Sequence, residues 1–295
     1  QNQKPIAVFT DGFTFHKDRV HDDTLRRAAI ARTGHYRVWT LTWKDVQQVY
    51  RTQGDYYTKT LAWDTMPSGM NMYHSTVQNG KAEKLQPKEL KPFELFLQYL
   101  TNPDAESLFT TQANAFAFSL LEPQKNQDEQ AFSQWADAMH PITEALGIRD
   151  ERFVFGDTIF GYWQPQESQD TLSVRAGLSK RQIIEKKDKY ATTVVCVFHD
   201  GTEDQKDYEP DWNGFWHFAN LMQFLPSFAA VTSTGLKEAI YASLSVTATE
   251  PEPAASLDDA WQDVLDSLFD GVAKICARRM ERLGLPPPSV VGYEL

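Results

Sequence analysis

Cysteine is scarce in this sequence, with Cys196 and Cys276 the only two among 295 residues. Two thiols are too few for a disulfide framework or a cysteine-based zinc site, and we expect buried free thiols in a reducing compartment. Long hydrophobic runs are also missing, and stretches such as 193–198 are far too short to span a bilayer. No charged-then-apolar leader opens the printed chain. These absences predict a cytoplasmic protein with no membrane partner.

Basic residues are in the minority, with 29 Lys and Arg against 40 Asp and Glu and a net charge of −11. That excess of acid argues against a surface that binds nucleic acid throughout. The distribution is uneven, because residues 1–60 hold ten basic and six acidic residues, a balance of +4 that leaves −15 for the rest. Residues 250–270 hold seven acids and no base. A mildly basic N-terminal region in an otherwise acidic chain is compatible with a local site for a polyanion.

Both ends of the printed chain lie close to predicted strands. Gln1 is followed within five residues by a strand, and a strand-like segment at 290–294 stands at the other end. The first and last few residues of a natural domain are usually poorly ordered and lie outside its strands and helices. We therefore expect this chain to be part of a longer polypeptide.

The front of the chain predicts a β-α-β unit. Residues 6–10 are apolar and β-branched and end at Asp11-Gly12, a pattern typical of a buried strand followed by a turn. A helix is predicted over 22–33, capped by one of its two leading aspartates and stopped by a glycine. Residues 37–43 are rich in aromatic and β-branched side chains, which favours a second strand. Short links between these elements predict a parallel crossover.

The whole chain is predicted to be α/β (mixed α+β) in four regions. They are a partial core at 1–52, a mostly helical connection at 53–150, an antiparallel β meander at 151–205 and a helical C-terminal part at 206–295 that returns to a strand. Helices are predicted at 88–100, 103–121, 128–146, 210–225 and 257–283, and strands at 153–155, 159–163, 171–177 and 191–199.

Asp11 and His16 are the residues we expect to carry chemistry. A carboxylate at the end of a parallel strand lies where α/β sheets place their sites, and an imidazole five residues on, past a glycine turn, can return to the same edge. Such a pair suits metal-assisted hydrolysis of a phosphodiester, in which the carboxylate holds a divalent ion and the histidine moves the proton. A plain Asp-Gly turn and a structural histidine are the simpler alternatives.

The segment 7–46, AVFTDGFTFHKDRVHDDTLRRAAIARTGHYRVWTLTWKDV, resembles the very-short-patch-repair branch of the restriction-endonuclease-like superfamily. More narrowly, it is similar to the C-terminal module of very large bacterial DEAD/DEAH-box helicases, often found in antiphage defence islands. The helix at 212–225 and the ending LPPPSVVGYEL also look like that family. The resemblance implies a restriction-endonuclease-like β-α-β core with a large helical and antiparallel-β insertion and a long C-terminal helix. It also implies a DNA-engaging, nuclease-like accessory domain of an ATP-dependent helicase.

Carried over from that family, Thr10 matches the position whose backbone carbonyl touches the metal. Asp11 matches a site histidine, and His16 matches the histidine of an aromatic-His pair. The resemblance thus predicts Asp11 and His16 as catalytic residues and Asp11 and Thr10 as ligands of Mg²⁺. The family's principal metal-binding Asp lies on an earlier strand, and no Glu-x-Lys follows the Ile6 strand, so DNA binding without cleavage stays an alternative. Nucleic-acid contacts are predicted for Lys17, Arg19, Arg26 and Arg27.

Arginines on the predicted helix also have a simpler interpretation. Arg26, Arg27 and Arg32 most simply form an exposed helix face, with phosphate contact as the alternative.

Other motifs narrow the function. No Walker loop, nucleophile elbow or His-Glu-x-x-His run occurs, so ATP would be bound only by the helicase domains of the parent. His199-Asp200-Gly201 mimics a metal pair at a strand end, but we interpret it as a turn. Predicted partners are DNA and other domains or subunits of the same defence assembly. The alternatives are a non-catalytic protein-interaction module of that assembly and a stand-alone small-molecule hydrolase.

Overall fold

The computed structural model describes residues 4–48, 73, 92–102, 105–121, 128–145, 153–163, 171–181, 192–201, 208–238, 241, 261–262, 264–266 and 271–282. The strands in this part of the chain are β1 (Ile6–Asp11), β2 (Arg37–Thr42), β3 (Thr158–Trp163), β4 (Leu172–Ser179), β5 (Thr192–Phe198) and β6 (Ser227–Thr232). The helices are α1 (Phe13–His16), α2 (Val20–Arg32), α3 (Trp43–Gln48), α4 (Pro92–Thr101), α5 (Ala105–Ser119), α6 (Glu129–Ala145), α7 (Tyr208–Met222), α8 (Ser233–Lys237) and α9 (Gly271–Arg282). The predicted mixed α/β class is confirmed.

The first sheet is a parallel pair of strands. β1 runs alongside β2 in a register that begins at Ile6 with Arg37 and ends at Asp11 with Thr42. Since α2 connects them, the predicted β-α-β unit with a parallel crossover is confirmed. Asp11 is the last residue of β1, so its carboxylate lies at the carboxyl edge of the pair.

Strand β2 is buried on both faces. Trp39 and Leu41 are completely buried in the main apolar core. Around the Trp39 ring lie four other rings, with centroid distances from 5.4 to 6.4 Å: Phe96, Tyr99, Phe109 and Phe224. The alternate residues Thr40 and Thr42 are also buried, and the Thr40 hydroxyl accepts a hydrogen bond from Arg27 on α2. One face of β2 therefore packs among aromatic rings, and its other face carries buried hydroxyl groups.

The second sheet has the strand order β3-β4-β5-β6. The first three strands pair antiparallel, as the predicted meander requires. Strand β6 was not predicted, and it pairs parallel with β5. Because α7 connects β5 to β6, the chain contains a second β-α-β unit. The strand predicted at 153–155 is wrong, since the Val154 carbonyl accepts the N–H groups of Asp157 and Thr158 in a turn.

Two side-chain amides, one near the end of α7 and one directly after it, cover the outer edge of β2. The Gln223 amide accepts from the Val38 N–H at 2.8 Å and donates to the Val38 carbonyl at 2.7 Å. Asn220 does the same at Thr40, with distances of 2.8 and 2.7 Å. These amides satisfy backbone groups that an exposed strand edge would leave open to another strand.

Most of the predicted helices are confirmed within a few residues. The patterns at 88–100, 103–121, 128–146 and 210–225 correspond to α4, α5, α6 and α7. Of the long helix predicted at 257–283, the described residues at 261–262 and 264–266 are helical, as is α9. The strand-like segment at 290–294 and nearly all of 53–87 lie outside the described residues. Among the described helices, none has the length and apolarity needed to cross a bilayer.

Candidate acid and imidazole site

A single helical turn brings His16 back to the end of β1. The Gly12 carbonyl accepts the N–H of Phe15 at 3.0 Å and that of His16 at 3.1 Å, which closes α1. Because α1 is only four residues long, the side chain five positions after Asp11 returns above the strand end. This is the local geometry that the sequence predicted.

Helix α1 is held in place from the second β-α-β unit. The Phe13 ring packs against Tyr208 at 6.1 Å and against Trp212 at 5.6 Å between centroids, and both belong to α7. The Tyr208 hydroxyl also donates to the Lys17 carbonyl at 3.0 Å. The position of His16 thus depends on α7 as well as on its own turn.

Helix α2 turns a polar stripe towards the protein interior. Its buried residues are Val20, Asp23, Thr24 and Arg27, which recur at the spacing of one helix face. The prediction that Asp22 or Asp23 caps this helix is wrong. Arg19 occupies the N-cap position, and no side chain makes a capping hydrogen bond there. Asp23 lies in the first turn, with its carboxylate directed inwards.

Three potential ligand side chains converge at this point. His16 Nδ1 lies 2.8 Å from Asp23 Oδ2 and 3.9 Å from Asp11 Oδ1. One ligand atom from each residue falls within 4.8 Å of the others. The side chains of Asp11 and Asp23 are only 3% and 8% exposed, whereas that of His16 is 29% exposed. The imidazole is therefore the member of the cluster that is most accessible from outside.

Arg27 completes the cluster as a buried cation. One terminal nitrogen donates to Asp11 Oδ2, and the other lies 3.8 Å from Asp23 Oδ1. Its Nε donates to the Thr40 hydroxyl at 3.0 Å. The guanidinium carbon also lies 4.4 Å from the centre of the Phe9 ring and 4.2 Å from that of Trp216. A planar guanidinium suits a position between two rings and two carboxylates.

The interactions within the cluster shift the pKa values of its members in different directions. The hydrogen bond to Asp23 raises the pKa of His16, and the partial burial of the ring opposes that shift. Burial favours the neutral form of Asp23, but the hydrogen bond from His16 and the charge of Arg27 outweigh it and lower the pKa. Burial raises the pKa of Asp11, against the attraction of Arg27. An ionised Asp23 beside a readily protonated His16 is the arrangement of an acid–base pair.

The donor set of this cluster fits a metal ion. Two carboxylate oxygens and an imidazole nitrogen are ligands that divalent cations accept, and at least one oxygen of each aspartate faces the imidazole. The Asp11–His16–Asp23 group can therefore hold a metal ion. The predicted participation of the Thr10 carbonyl stays a prediction, and the Thr10 side chain is exposed on β1.

The residues predicted to contact nucleic acid fall into two groups. Lys17, Arg19 and Arg26 have exposed or half-buried side chains close in sequence to His16. Arg27 is only 6% exposed, so the interpretation of Arg27 as part of an exposed helix face is wrong. The reason is that its charge is balanced inside the protein by Asp11 and Asp23, which leaves no guanidinium surface for a phosphate.

A second acid–imidazole contact was missed. His217 Nε2 on α7 lies 2.7 Å from Asp45 Oδ1, and the two side chains are 5% and 0% exposed. The other Asp45 oxygen accepts the Thr42 N–H at 2.7 Å, which caps α3. The Thr-x-x-Asp spacing at 42–45 carried that capping signal in the sequence. The histidine could not be found that way, because it comes from a distant part of the chain.

The motif His199-Asp200-Gly201 has the structural role that we predicted. Asp200 Oδ1 accepts from the Ser233 hydroxyl at 2.8 Å and from the Thr234 N–H at 2.9 Å. His199 Nε2 lies 3.2 Å from the Ser173 hydroxyl. The carboxylate thus stabilises the start of α8, and the two side chains contact different partners.

The chain matches no family model, no curated protein and no solved structure. The likeness to the helicase-associated module consequently stays a prediction.

Proposed function

We propose that this chain is a DNA-engaging, nuclease-like module whose site is formed by Asp11, His16 and Asp23. The observation that carries the proposal is the convergence of their ligand atoms within 4.8 Å at the carboxyl edge of a parallel strand pair. Two acids and an imidazole at a strand end provide both a cation site and a proton-transfer group, which phosphodiester hydrolysis requires.

In this proposal His16 transfers the proton. Its Nδ1 faces the Asp23 carboxylate at 2.8 Å, and an ionised carboxylate can only accept, so Nδ1 carries the hydrogen. Nε2 is then the ring nitrogen available to a water or a leaving oxygen. Asp23 fixes the ring orientation and stabilises the imidazolium form, as an orienting carboxylate does in other acid–base pairs.

Asp11 is proposed to bind the cation together with Asp23, while His16 stays beside them as the proton-transfer group. When bound, Mg²⁺ would supply Lewis-acid stabilisation of a phosphate oxygen and a more acidic water. Asp11 Oδ1 is the oxygen directed to this role, since Oδ2 accepts from Arg27. The buried aspartate thus needs no large movement to take part.

Contact with nucleic acid is proposed for the surface around α1. The Phe15 side chain is 81% exposed although it is large and apolar, and it is adjacent to His16 in the sequence. Such a ring can stack on a base, while Lys17 and Arg19 can pair with phosphates. Exposed aromatic and basic side chains beside an acid–base pair favour a nucleic-acid substrate over a small molecule.

The decisive experiment is a plasmid-nicking assay in the presence of Mg²⁺. The His16→Ala variant should lower the nicking rate by at least about a hundredfold, the usual effect of losing a general base or acid. His21→Ala is the matched control, because His21 lies nearby on α2 and its contact is with Asp22. Nicking that survives in His16→Ala, or is lost equally in His21→Ala, would contradict the proposed role.

The parent protein is proposed to be a large ATP-dependent DEAD/DEAH-box helicase of antiphage defence, on the strength of the resemblance alone. The full-length parent should then show DNA-stimulated ATPase activity. DNA binding by the present chain should weaken steeply between low and moderate salt, because phosphate contacts release counterions. Salt-independent behaviour, or no DNA binding at all, would favour the protein-interaction module.

A further inference from the structure

The cation-binding position between Asp11 and Asp23 already contains a positive charge that belongs to the chain. Arg27 contacts an oxygen of each aspartate, and the potential metal ligands are these same two residues and His16. A metal ion and the guanidinium would therefore share both carboxylates.

Five contacts keep Arg27 in this position. Besides the two aspartates, its Nε donates to Thr40 at 3.0 Å, and the rings of Phe9 and Trp216 lie on it at 4.4 and 4.2 Å. The side chain is 6% exposed, so water screens its charge only weakly. A cation held this firmly stays close to any ion that binds beside it.

We propose that Arg27 is the resident counter-ion of this site and limits it to a single, weakly bound divalent cation. The guanidinium occupies Asp11 Oδ2, which leaves Asp11 Oδ1 and Asp23 Oδ2, both facing His16, as the carboxylate oxygens for that one ion. Like charges in a poorly screened interior repel strongly, so Arg27 lowers metal affinity while it keeps the carboxylates in place. This inference rests on the proposed cation site and is independent of any cleavage.

An electrostatic role of Arg27 and a purely structural role predict opposite changes in the affinity of the site for Mn²⁺. If Arg27 competes with the metal, then Arg27→Met should bind Mn²⁺ at least about tenfold more tightly than the wild type, because a nearby like charge has been removed. If Arg27 only positions the aspartates, the same variant should bind Mn²⁺ more weakly. Electron paramagnetic resonance of free Mn²⁺ measures this affinity without an activity assay.

The chain offers a matched control at the other end of the same strand. Arg37 is also a partly buried guanidinium, 14% exposed, paired with Glu106 and lying 4.4 Å from the Phe224 ring. It stands five residues before Thr42 in β2, about 16 Å along the strand. Arg37→Met removes a similar packing arrangement without touching the site, so its Mn²⁺ affinity should equal that of the wild type.

Arg27→Lys keeps the charge and should bind Mn²⁺ as weakly as the wild type, within about threefold, since one unit charge remains beside the ion.

Should Arg27→Met be partly unfolded, thermal unfolding with added Mn²⁺ gives the same information, because an ion that replaces the guanidinium raises the midpoint more than in the wild type. Tighter binding by Arg27→Met alone supports the inference. Equal or weaker binding, or no stabilisation by Mn²⁺, overturns it, and no Mn²⁺ binding by any variant overturns the cation site itself.

Discussion

The two β-α-β units of this molecule begin with nearly the same strand ending and use it differently. The first strand of one unit ends within Val8-Phe-Thr-Asp-Gly12, and that of the other leads into its turn through Val197-Phe-His-Asp-Gly201. In the first unit, Asp11 faces a histidine, a second aspartate and an arginine. In the second unit, Asp200 accepts hydrogen bonds from the start of α8. One sequence motif thus gives a candidate reactive group in one unit and a structural turn in the other.

The connecting helices account for the difference. Helix α2 presents buried Asp23 and Arg27 to the strand end. Helix α7 buries mainly aromatic side chains, and its buried His217 contacts Asp45. The aromatic residues are Tyr208, Trp212, Phe215, Trp216 and Phe218. Asp-Gly at the end of a strand thus forms a candidate site only where the crossover helix brings charged partners to it.

The largest effect is expected from removing the acid of the first unit. Asp11→Ala leaves the Arg27 guanidinium buried without its closest counter-ion and should lower the free energy of unfolding by about 3 to 5 kcal/mol. The double variant Asp11→Leu with Arg27→Met should recover most of that loss, because neither charge remains. Urea unfolding measures both variants. Asp11→Ala as stable as the wild type would break the comparison, since Asp11 would then be no more than a turn residue.

A smaller loss of stability is expected at the contact between α7 of the second unit and β2 of the first. Asn220→Ala removes the amide that satisfies both backbone groups of Thr40, and the free energy of unfolding should fall by about 2 kcal/mol. Hydrogen exchange should show the Thr40 amide losing protection before amides inside β4. Uniform loss of protection across both sheets would mean that α7 has no specific role at this edge.

The acid of the second unit should matter less. Asp200→Ala removes two hydrogen bonds at the start of α8, which predicts a loss of about 1 kcal/mol in the free energy of unfolding. Plasmid nicking by the folded protein should be unchanged, in contrast to Asp11→Ala. A variant that stays stable but no longer nicks DNA would erase the distinction between the two units.

The smallest effect concerns pH. The folded pKa of His16 lies above the usual 6.5, so its contribution to stability is complete below that pH and is lost as the pH rises through the folded value. The folded pKa of Asp23 lies below 3.8, so its contribution is present above that pH and is lost on acidification. The pair should stabilise the fold most between about pH 4 and 6.5, by less than about 1 kcal/mol because His16 is partly exposed.

The measurement is the difference in unfolding free energy between wild type and His16→Gln as a function of pH. That difference should shrink above neutral pH, and its pH dependence should weaken in an Asp23→Asn background, in which Asp11 is the remaining acid that raises the pKa of His16. A difference that grew with pH would show that the protonated imidazole is not what the folded state favours.

Local features of this site could be predicted from the sequence, whereas long-range ones could not. Asp11 and His16 are separated by one turn, so a strand followed by Asp-Gly and an aromatic segment was enough to place them together. The burial of Asp23 and Arg27 was not predicted, because charged residues on a helix usually face water. Their spacing of one helical turn was the available signal.

The elements that escaped prediction depend on distant partners. Strand β6 has the sequence SFAAVT, whose small residues give a weak strand pattern directly after a helix, and its pairing with β5 supplies what the pattern lacks. The contact of His217 with Asp45 joins residues far apart in the chain. Only the docking of α7 against β2 brings them together.

Two side-chain amides, of Asn220 on α7 and of Gln223 directly after it, join this helix to β2. Asn220 and Gln223 each hold both the donor and the acceptor of one strand residue, so a small slide along the strand would break four bonds at once. The same helix carries Trp216 against Arg27. A displacement of α7 along β2 would therefore break these four hydrogen bonds together and would also move the Trp216 ring away from the Arg27 guanidinium, one of the five groups that hold it.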